Sequence, residues 1–248
     1  MPLTRPDPIN PQGEGDAFTF CGTCAFAPVC LPGGYDKPAL AKLHMIIEHV
    51  GPFPAGTHAF RVGDPFNAVY AVRAGTVKTY LVDDQGREQV LGFHLPGELV
   101  GLNAIHPQRY PCNAVALDEV TLCRFSFNAM AALAAQVPDL QATLFRLLSE
   151  DIGKSSLLAG DFSADERLAT FLLRMSERYA ARGYSATRFR LTMSRTDIAN
   201  YLRLATETVS RVLQRFDHEG LIAVDRREIE LREPARLRQL ARSVLREA

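Results

Sequence analysis

The chain has 248 residues, 47% of them apolar and 23% charged, the composition of a water-soluble protein with enough apolar side chains for a core. It contains no run of about 18 apolar residues, so the sequence predicts no membrane-spanning helix. Formal net charge is zero, yet residues 186–248 hold 13 Arg and no Lys against 9 Asp or Glu, an excess of +4 that acid elsewhere balances. Such a split points to an anionic partner at one end of the chain.

The opening "MPLTRPDPINPQGEGD" has no apolar core, so residues 1–18 are expected to be a disordered Pro- and Gly-rich tail rather than a signal peptide. A cytoplasmic protein is the expectation, with its thiols kept reduced. Residues 19–34 carry "FCGTCAFAPVC", which brings Cys21, Cys24 and Cys30 together, and end in a "LPGG" loop. In a reducing compartment such a cluster more often binds metal or does redox work than forms a structural disulfide. Elsewhere the chain has only Cys112 and Cys123.

Residues 36–50, "DKPALAKLHMIIEHV", predict a short amphipathic helix with Asp36 as its cap and Leu40, Leu43, Ile46, Ile47 and Val50 on one side. From 51 to about 127 the period changes to two. "HAFRVG", "AVYAVRAG", "TVKTYLVD" and "EQVLGFHL" are β-prone runs, punctuated by Gly56, Gly63, Gly75, Gly86 and Gly97. Short strands at this spacing predict an antiparallel sandwich or barrel over 35–135, with "DDQGREQ" (83–89) as a hairpin connection.

A helix is predicted over 136–160, with Val137, Leu140, Leu144, Leu147, Leu148, Ile152 and Leu158 in one stripe. The stripe must pack either on the barrel of its own chain or on a second copy of itself. Asp151, Lys154 and Ser155 fall on or beside it and weaken a dimer seam, which suits conditional dimerisation. "GDFS" (160–163) reads as a hinge. Ser163 and Glu166 then form a capping box opening a helix over 164–182, with Leu168, Phe171, Leu172 and Met175 inward.

Residues 161–248 hold the most informative stretch. Ser194 with Asp197 caps the short helix "TDIANYL", "RLA" is a tight connection, and "TETVSRVLQRF" (206–216) is a second helix ended by Gly220. "LIAV" and "IEL" flank "DRRE" as a two-stranded wing. Helix, turn, helix and hairpin make a winged helix-turn-helix. Glu207, Ser210 and Arg211 share one exposed face near the start of the second helix, where such a helix meets base edges. Arg211 suits guanine O6 and N7, Glu207 accepts from cytosine N4, and Ser210 contacts either base type. Thr192, Ser194, Arg195, Thr206 and Arg215 are candidate donors to phosphates. The plainer alternative makes Glu207 and Arg211 a surface ion pair worth about 0.3–0.5 kcal/mol.

The motifs "CGTCAFAPVC", "GFHLPGELVG", "LCRF", "ADERLATFLL", "FRLTMSRTDIANYLRLATETVSRVLQRF" and "GLIAV" resemble the cyclic-AMP receptor protein/fumarate-nitrate reduction regulator (CRP/FNR) superfamily, and its FNR branch most closely. The resemblance covers about residues 20–235. It implies an α+β protein with an N-terminal cyclic-nucleotide-binding-like β-roll (a jelly roll), a long dimerisation helix and a C-terminal winged helix-turn-helix. It also implies an oxygen-labile 4Fe-4S cluster held by Cys21, Cys24, Cys30 and Cys123, the last matching the family's fourth ligand. A homodimer on double-stranded DNA would follow, at an inverted repeat of the TTGAT–N4–ATCAA type. Contact with RNA polymerase by exposed patches such as the 83–89 loop is implied as well. The segment from Ile152 to "ADERLA" is about three residues shorter than the family pattern, nearly one helical turn.

Four rivals stand beside this reading. A structural zinc site fits the cysteine spacing alone, and a thiol/disulfide sensor is the third use of C-x-x-C. For cyclic-nucleotide binding, Gly97 and Glu98 are present, but the family's Arg-Ser pair falls at Cys112-Asn113, which cannot neutralise a phosphate, so no cyclic nucleotide is expected. The six histidines show no metal-ligand spacing with carboxylates, and neither a nucleophile elbow nor a P-loop occurs, so no enzyme is expected.

Overall fold

A computed structural model describes residues 29–30, 42–157 and 160–245. Cys21 and Cys24 lie outside the described residues. Two compact units divide the chain, Met1–Leu81 with Leu91–Leu147 and Val82–Val90 with Leu148–Ala248.

The first unit is built on β1 (Ile47–Phe53), β2 (His58–Phe60), β3 (Ala68–Ala74), β4 (Val77–Val82), β5 (Glu88–His94), β6 (Leu99–Val100), β7 (Asn113–Ala116) and β8 (Val120–Ser126). They form two four-stranded sheets, ordered β1-β8-β3-β6 and β2-β7-β4-β5. The glycine-punctuated runs become strands as expected, and the five punctuating glycines all take positive φ. Gly75 is the tightest of them: at φ +80° an added Cβ would stand 2.2 Å from the Glu119 carbonyl oxygen. The core is aromatic at one end. Phe60 and Tyr110 stack at 3.8 Å between centroids, and the buried Tyr110 hydroxyl donates to the Ala68 carbonyl at 2.6 Å. Burial pushes the Tyr110 phenol far above its usual range, so it stays a donor.

The helix predicted over 36–50 is corrected. Only Lys42–His44 are helical among its described residues, and β1 begins at Ile47. Ile47 pairs with Phe125 and Val50 with Leu122, so this segment takes the open edge of β8. Cross-strand pairing and β-branched side chains outweigh a helical spacing of only a few apolar positions. After β8 the chain makes α1 (Phe127–Ala134), which buries Met130, Leu133 and Ala134, and then α2 (Pro138–Leu157). Proline at the first position of α2 lacks only an N–H that would have no helical partner there.

In the second unit, α3 (Ala164–Ala180) starts at a complete Ser163/Glu166 capping box and buries Leu168, Phe171, Leu172 and Met175. β9 (Arg188–Arg190), α4 (Arg195–Leu202), α5 (Thr206–His218), β10 (Ile222–Asp225) and β11 (Glu228–Leu231) follow, then α6 (Pro234–Leu240) and α7 (Arg242–Leu245). The wing has three strands, ordered β10-β11-β9, rather than the expected two. β9 joins because its alternation matches β11: Phe189 sits opposite Ile229. Arg188 and Glu230 form an ion pair beside them at 3.3 Å. Residues Val82–Val90, the end of β4 and the start of β5, group with this unit.

Candidate nucleic-acid interface and cysteine site

The reading helix α5 buries Val209, Val212, Leu213 and Phe216 and leaves Glu207 and Arg211 exposed, with Ser210 partly so. Glu207, in the first turn, is favoured there by the helix dipole. Arg211 Nη2 lies 3.4 Å from Thr208 Oγ1, and no ion pair joins Glu207 to Arg211 among the described residues. The alternative of a mere surface pair therefore loses its geometry. Ala205 precedes the helix and offers no side-chain cap. Before α5, Arg203 adopts φ 56°, closing α4 and turning the chain within three residues.

The expected phosphate donors divide. Thr192, Arg195 and Thr206 are partly exposed around the two helices. Ser194 is already occupied: its Oγ accepts from Asp197 N–H at 3.0 Å and donates to Asp197 Oδ2 at 2.6 Å. Arg215 is engaged by Asp165 at the start of α3. Arg227 went unnoticed in the sequence. It donates to the Thr192 carbonyl at 2.9 Å and so ties the wing loop to the entrance of α4. "DRRE" between two β-prone runs marked the turn but gave no sign of this bond.

Cys123 lies in β8, opposite His49 of β1 and Ala71 of β3. Its Sγ is 3.5 Å from His49 Nδ1, which in turn is 3.1 Å from Arg73 Nη1. Burial, then the charges of Arg73 and His44, hold the His49 imidazole below its ordinary pKa, so it is neutral at pH 7. Cys30 and Cys123 are both partly exposed. Cys112 differs. It is 1% exposed, its thiol is pushed up by burial, and Asn103 Nδ2 donates to its sulfur at 3.6 Å. Among the described residues no three His, Cys, Asp or Glu side chains converge as a metal site.

The Gly97-Glu98 turn closes on itself, with Leu95 N–H donating to Glu98 Oε2 at 3.1 Å. Asn113, 6% exposed, accepts from Val62 N–H at 3.0 Å. Among the described residues no helix is long and apolar enough to cross a membrane.

In the stripe of α2, Leu140 is buried in its own chain at 1% exposure, and Leu144, Leu147 and Leu148 are partly exposed. Phe145 and Ile152 stand out at 63% and 71%.

A sandwich of short strands followed by a winged helix-turn-helix, with polar side chains on the outer face of its second helix, defines a DNA-binding transcription regulator. Residues 51–137 match the cyclic nucleotide-binding domain and residues 166–240 the Crp-like helix-turn-helix domain. Transcriptional activator protein Anr of Pseudomonas protegens is 44% identical over 238 residues, covering 95% of this chain and 97% of that one. The fumarate and nitrate reduction regulatory protein of Escherichia coli K12 is 39% identical over 231 residues, 92% of each. Among solved structures, FixK2 from Bradyrhizobium japonicum superposes with a TM-score of 0.70 at 29% identity, over 78% of this chain and 96% of that one. The chain belongs to the FNR branch of the CRP/FNR family of transcription regulators.

Proposed function

We propose that this chain is an oxygen-responsive regulator in which a 4Fe-4S cluster, held by Cys21, Cys24, Cys30 and Cys123, governs dimerisation and sequence-specific binding to an inverted repeat. The observation that carries the reading is the contrast between the two cysteines outside the N-terminal cluster. Cys123 is partly exposed on a central strand, whereas Cys112 is sealed in the core with its thiol held protonated. Thiolate sulfur is the donor that a cubane cluster takes, one per iron. Four thiolates make an anionic centre, and the Arg73 guanidinium, one residue from Cys123 by way of His49, supplies compensating charge.

When bound, the cluster supplies oxygen-sensitive chemistry. Cys21, Cys24 and Cys30 would tie the N-terminal segment to β8 through Cys123, and ligation would order that segment. Release of the tie would weaken a dimer formed along Leu144, Leu147, Leu148 and Ile152, with the exposed Phe145 beside them; Leu140, expected in this seam, is instead buried in its own chain. Two reading helices would then no longer engage half-sites one helical turn apart. Glu207, Ser210 and Arg211 read bases, while Thr192, Arg195 and Thr206 hold phosphates. Ser194 and Arg215, expected on phosphates, are instead engaged by Asp197 and Asp165 and serve the reader's fold. A cytoplasmic activator of anaerobic genes that contacts RNA polymerase completes the reading. No cyclic nucleotide is bound, because the position of the family's phosphate-binding Arg is the buried Cys112.

The test is the absorption spectrum with iron and sulfide content of protein purified without oxygen, then exposed to air, for wild type, Cys123→Ser and Cys112→Ser. Brown protein with near-equal iron and sulfide in wild type and Cys112→Ser, lost in Cys123→Ser, is expected, with bleaching and dimer loss in air. Colourless zinc protein indifferent to air would overturn the reading.

A further inference from the structure

One side chain fastens the segment after α2 to the helix-turn-helix. Arg167, near the start of α3, is partly buried and spends its guanidinium on three backbone carbonyls. Nε donates to Phe162 at 2.9 Å, Nη2 to Gly160 at 2.8 Å, and Nη1 to Leu202 at 3.3 Å. The first two acceptors belong to the hinge. The third is the last residue of α4, where carbonyls have no partner within the helix. Immediately after it, Arg203 turns the chain toward α5.

The hinge itself has a defined shape. The Phe162 ring lies over Gly160, where an added Cβ would stand 2.2 Å from a ring carbon. Phe162 N–H also donates to the Gly160 carbonyl at 3.1 Å. A planar guanidinium with five donors can serve three acceptors in fixed directions, which a flexible ammonium cannot do in the same plane.

We propose that Arg167 is a positioning residue for DNA reading: by bonding the hinge carbonyls to the end of α4, it fixes how the chain enters the reader and thereby sets the half-site spacing that the dimer accepts. This rests on the reading of the protein as a dimer on an inverted repeat. Arg167 needs no contact with DNA for the role, because its donors are used on carbonyls. Joining two readers raises affinity by about 10²–10⁴-fold only when both can engage at once. A hinge released from Leu202 would blunt that gain at the correct spacing and soften the penalty at a wrong one. The affinity of one reader for one half-site would be untouched.

The test uses the full chain, purified without oxygen, with Arg167→Gln and Arg167→Lys. Four duplexes are compared: the inverted repeat with its four-base-pair spacer, the same repeat with the spacer one pair shorter or longer, and a single half-site. Both variants are expected to bind the native repeat roughly tenfold more weakly and to discriminate less among spacers, with half-site affinity unchanged. Gly160→Ala displaces Phe162 while keeping Arg167 and should change spacer preference in the same direction, which decides the matter if Arg167→Gln unfolds. Equal losses on half-site and full repeat would make Arg167 a prop for the reader's fold and overturn the inference, as would wild-type spacer discrimination in the variants. A wild-type protein that prefers two half-sites no more than one would instead sink the dimer reading.

Discussion

Replacing Ser194 by Ala separates a helix cap from a DNA contact. The Ser194 hydroxyl accepts from Asp197 N–H at 3.0 Å and donates to Asp197 Oδ2 at 2.6 Å, and both bonds vanish with the oxygen. Only the 3.2 Å bond from Ser194 N–H to the same carboxylate survives. Loss of a serine cap costs about 1 kcal/mol, within a range of about 0.5–2, whereas glycine costs only a few tenths. For a domain of this size about 1 kcal/mol lowers the melting temperature by about 4–8 °C. Circular dichroism melts of Ser194→Ala should show that drop in the reader's transition, and Ser194→Gly a smaller one. Binding measured well below the transition should stay close to wild type, because a hydroxyl committed to a cap has little left for a phosphate. Unchanged melting together with uniformly weaker binding to unrelated duplexes would refute the reasoning and make Ser194 a backbone contact.

Arg211→Ala should weaken the best site by roughly 1–3 kcal/mol and blur preference at one base position; binding to a panel of single-base variants checks it, and equal loss on every sequence would deny Arg211 a base-reading role. Gly75→Ala combines a φ of +80° with a Cβ 2.2 Å from the Glu119 carbonyl, so it should destabilise the β-sandwich by about 1–3 kcal/mol in chemical unfolding. The Glu166 carboxyl is held below its ordinary pKa by the Ser163 hydroxyl first, then by Ser243 and the Ser163 N–H. Its contribution is therefore complete above the unfolded carboxyl's pKa and is lost as pH falls through the lower folded value. Melting followed from neutral to acid pH should fall less steeply for Glu166→Gln than for wild type over that window, and parallel curves would count against the coupling.

Both capping boxes were legible in the sequence because each is a local pattern of two residues three apart, whose partners are one another. The two helices of the reader were legible for a similar reason: their apolar positions repeat with one period between strong stop signals. Strand β1 was not, because what makes residues 47–53 a strand is the free edge of β8, more than 65 residues away and invisible to periodicity. Helices α1, α6 and α7 are short, and too few turns accumulate in them for a stripe to be seen. The cysteine site shows the same division. Spacing brings Cys21, Cys24 and Cys30 into view, but nothing local separates Cys112 from Cys123. Their difference comes from the sheet, which seals one under Asn103 and leaves the other beside His49.

Under the proposed function, the long helix lets a small signal decide a large outcome. The stripe expected from spacing runs through Leu140, yet that residue is consumed by its own chain at 1% exposure. Among the described side chains of α2, the exposed large apolar ones are Phe145 and Ile152, at 63% and 71%, seven residues apart and so on one face, with Leu148 between them. Fully burying one such side chain contributes about 1.5–3 kcal/mol, so two from each protomer supply about 6–12 kcal/mol. Association costs about 4–15 kcal/mol in lost rigid-body freedom. The two quantities overlap, and exposed Glu150 and Asp151 sit next to the stripe, where the same charge from a partner would oppose contact. A dimer built on this face stands near balance. Under the proposed function, ordering or releasing one N-terminal segment is then enough to move it either way, which a seam of continuous leucines would not permit.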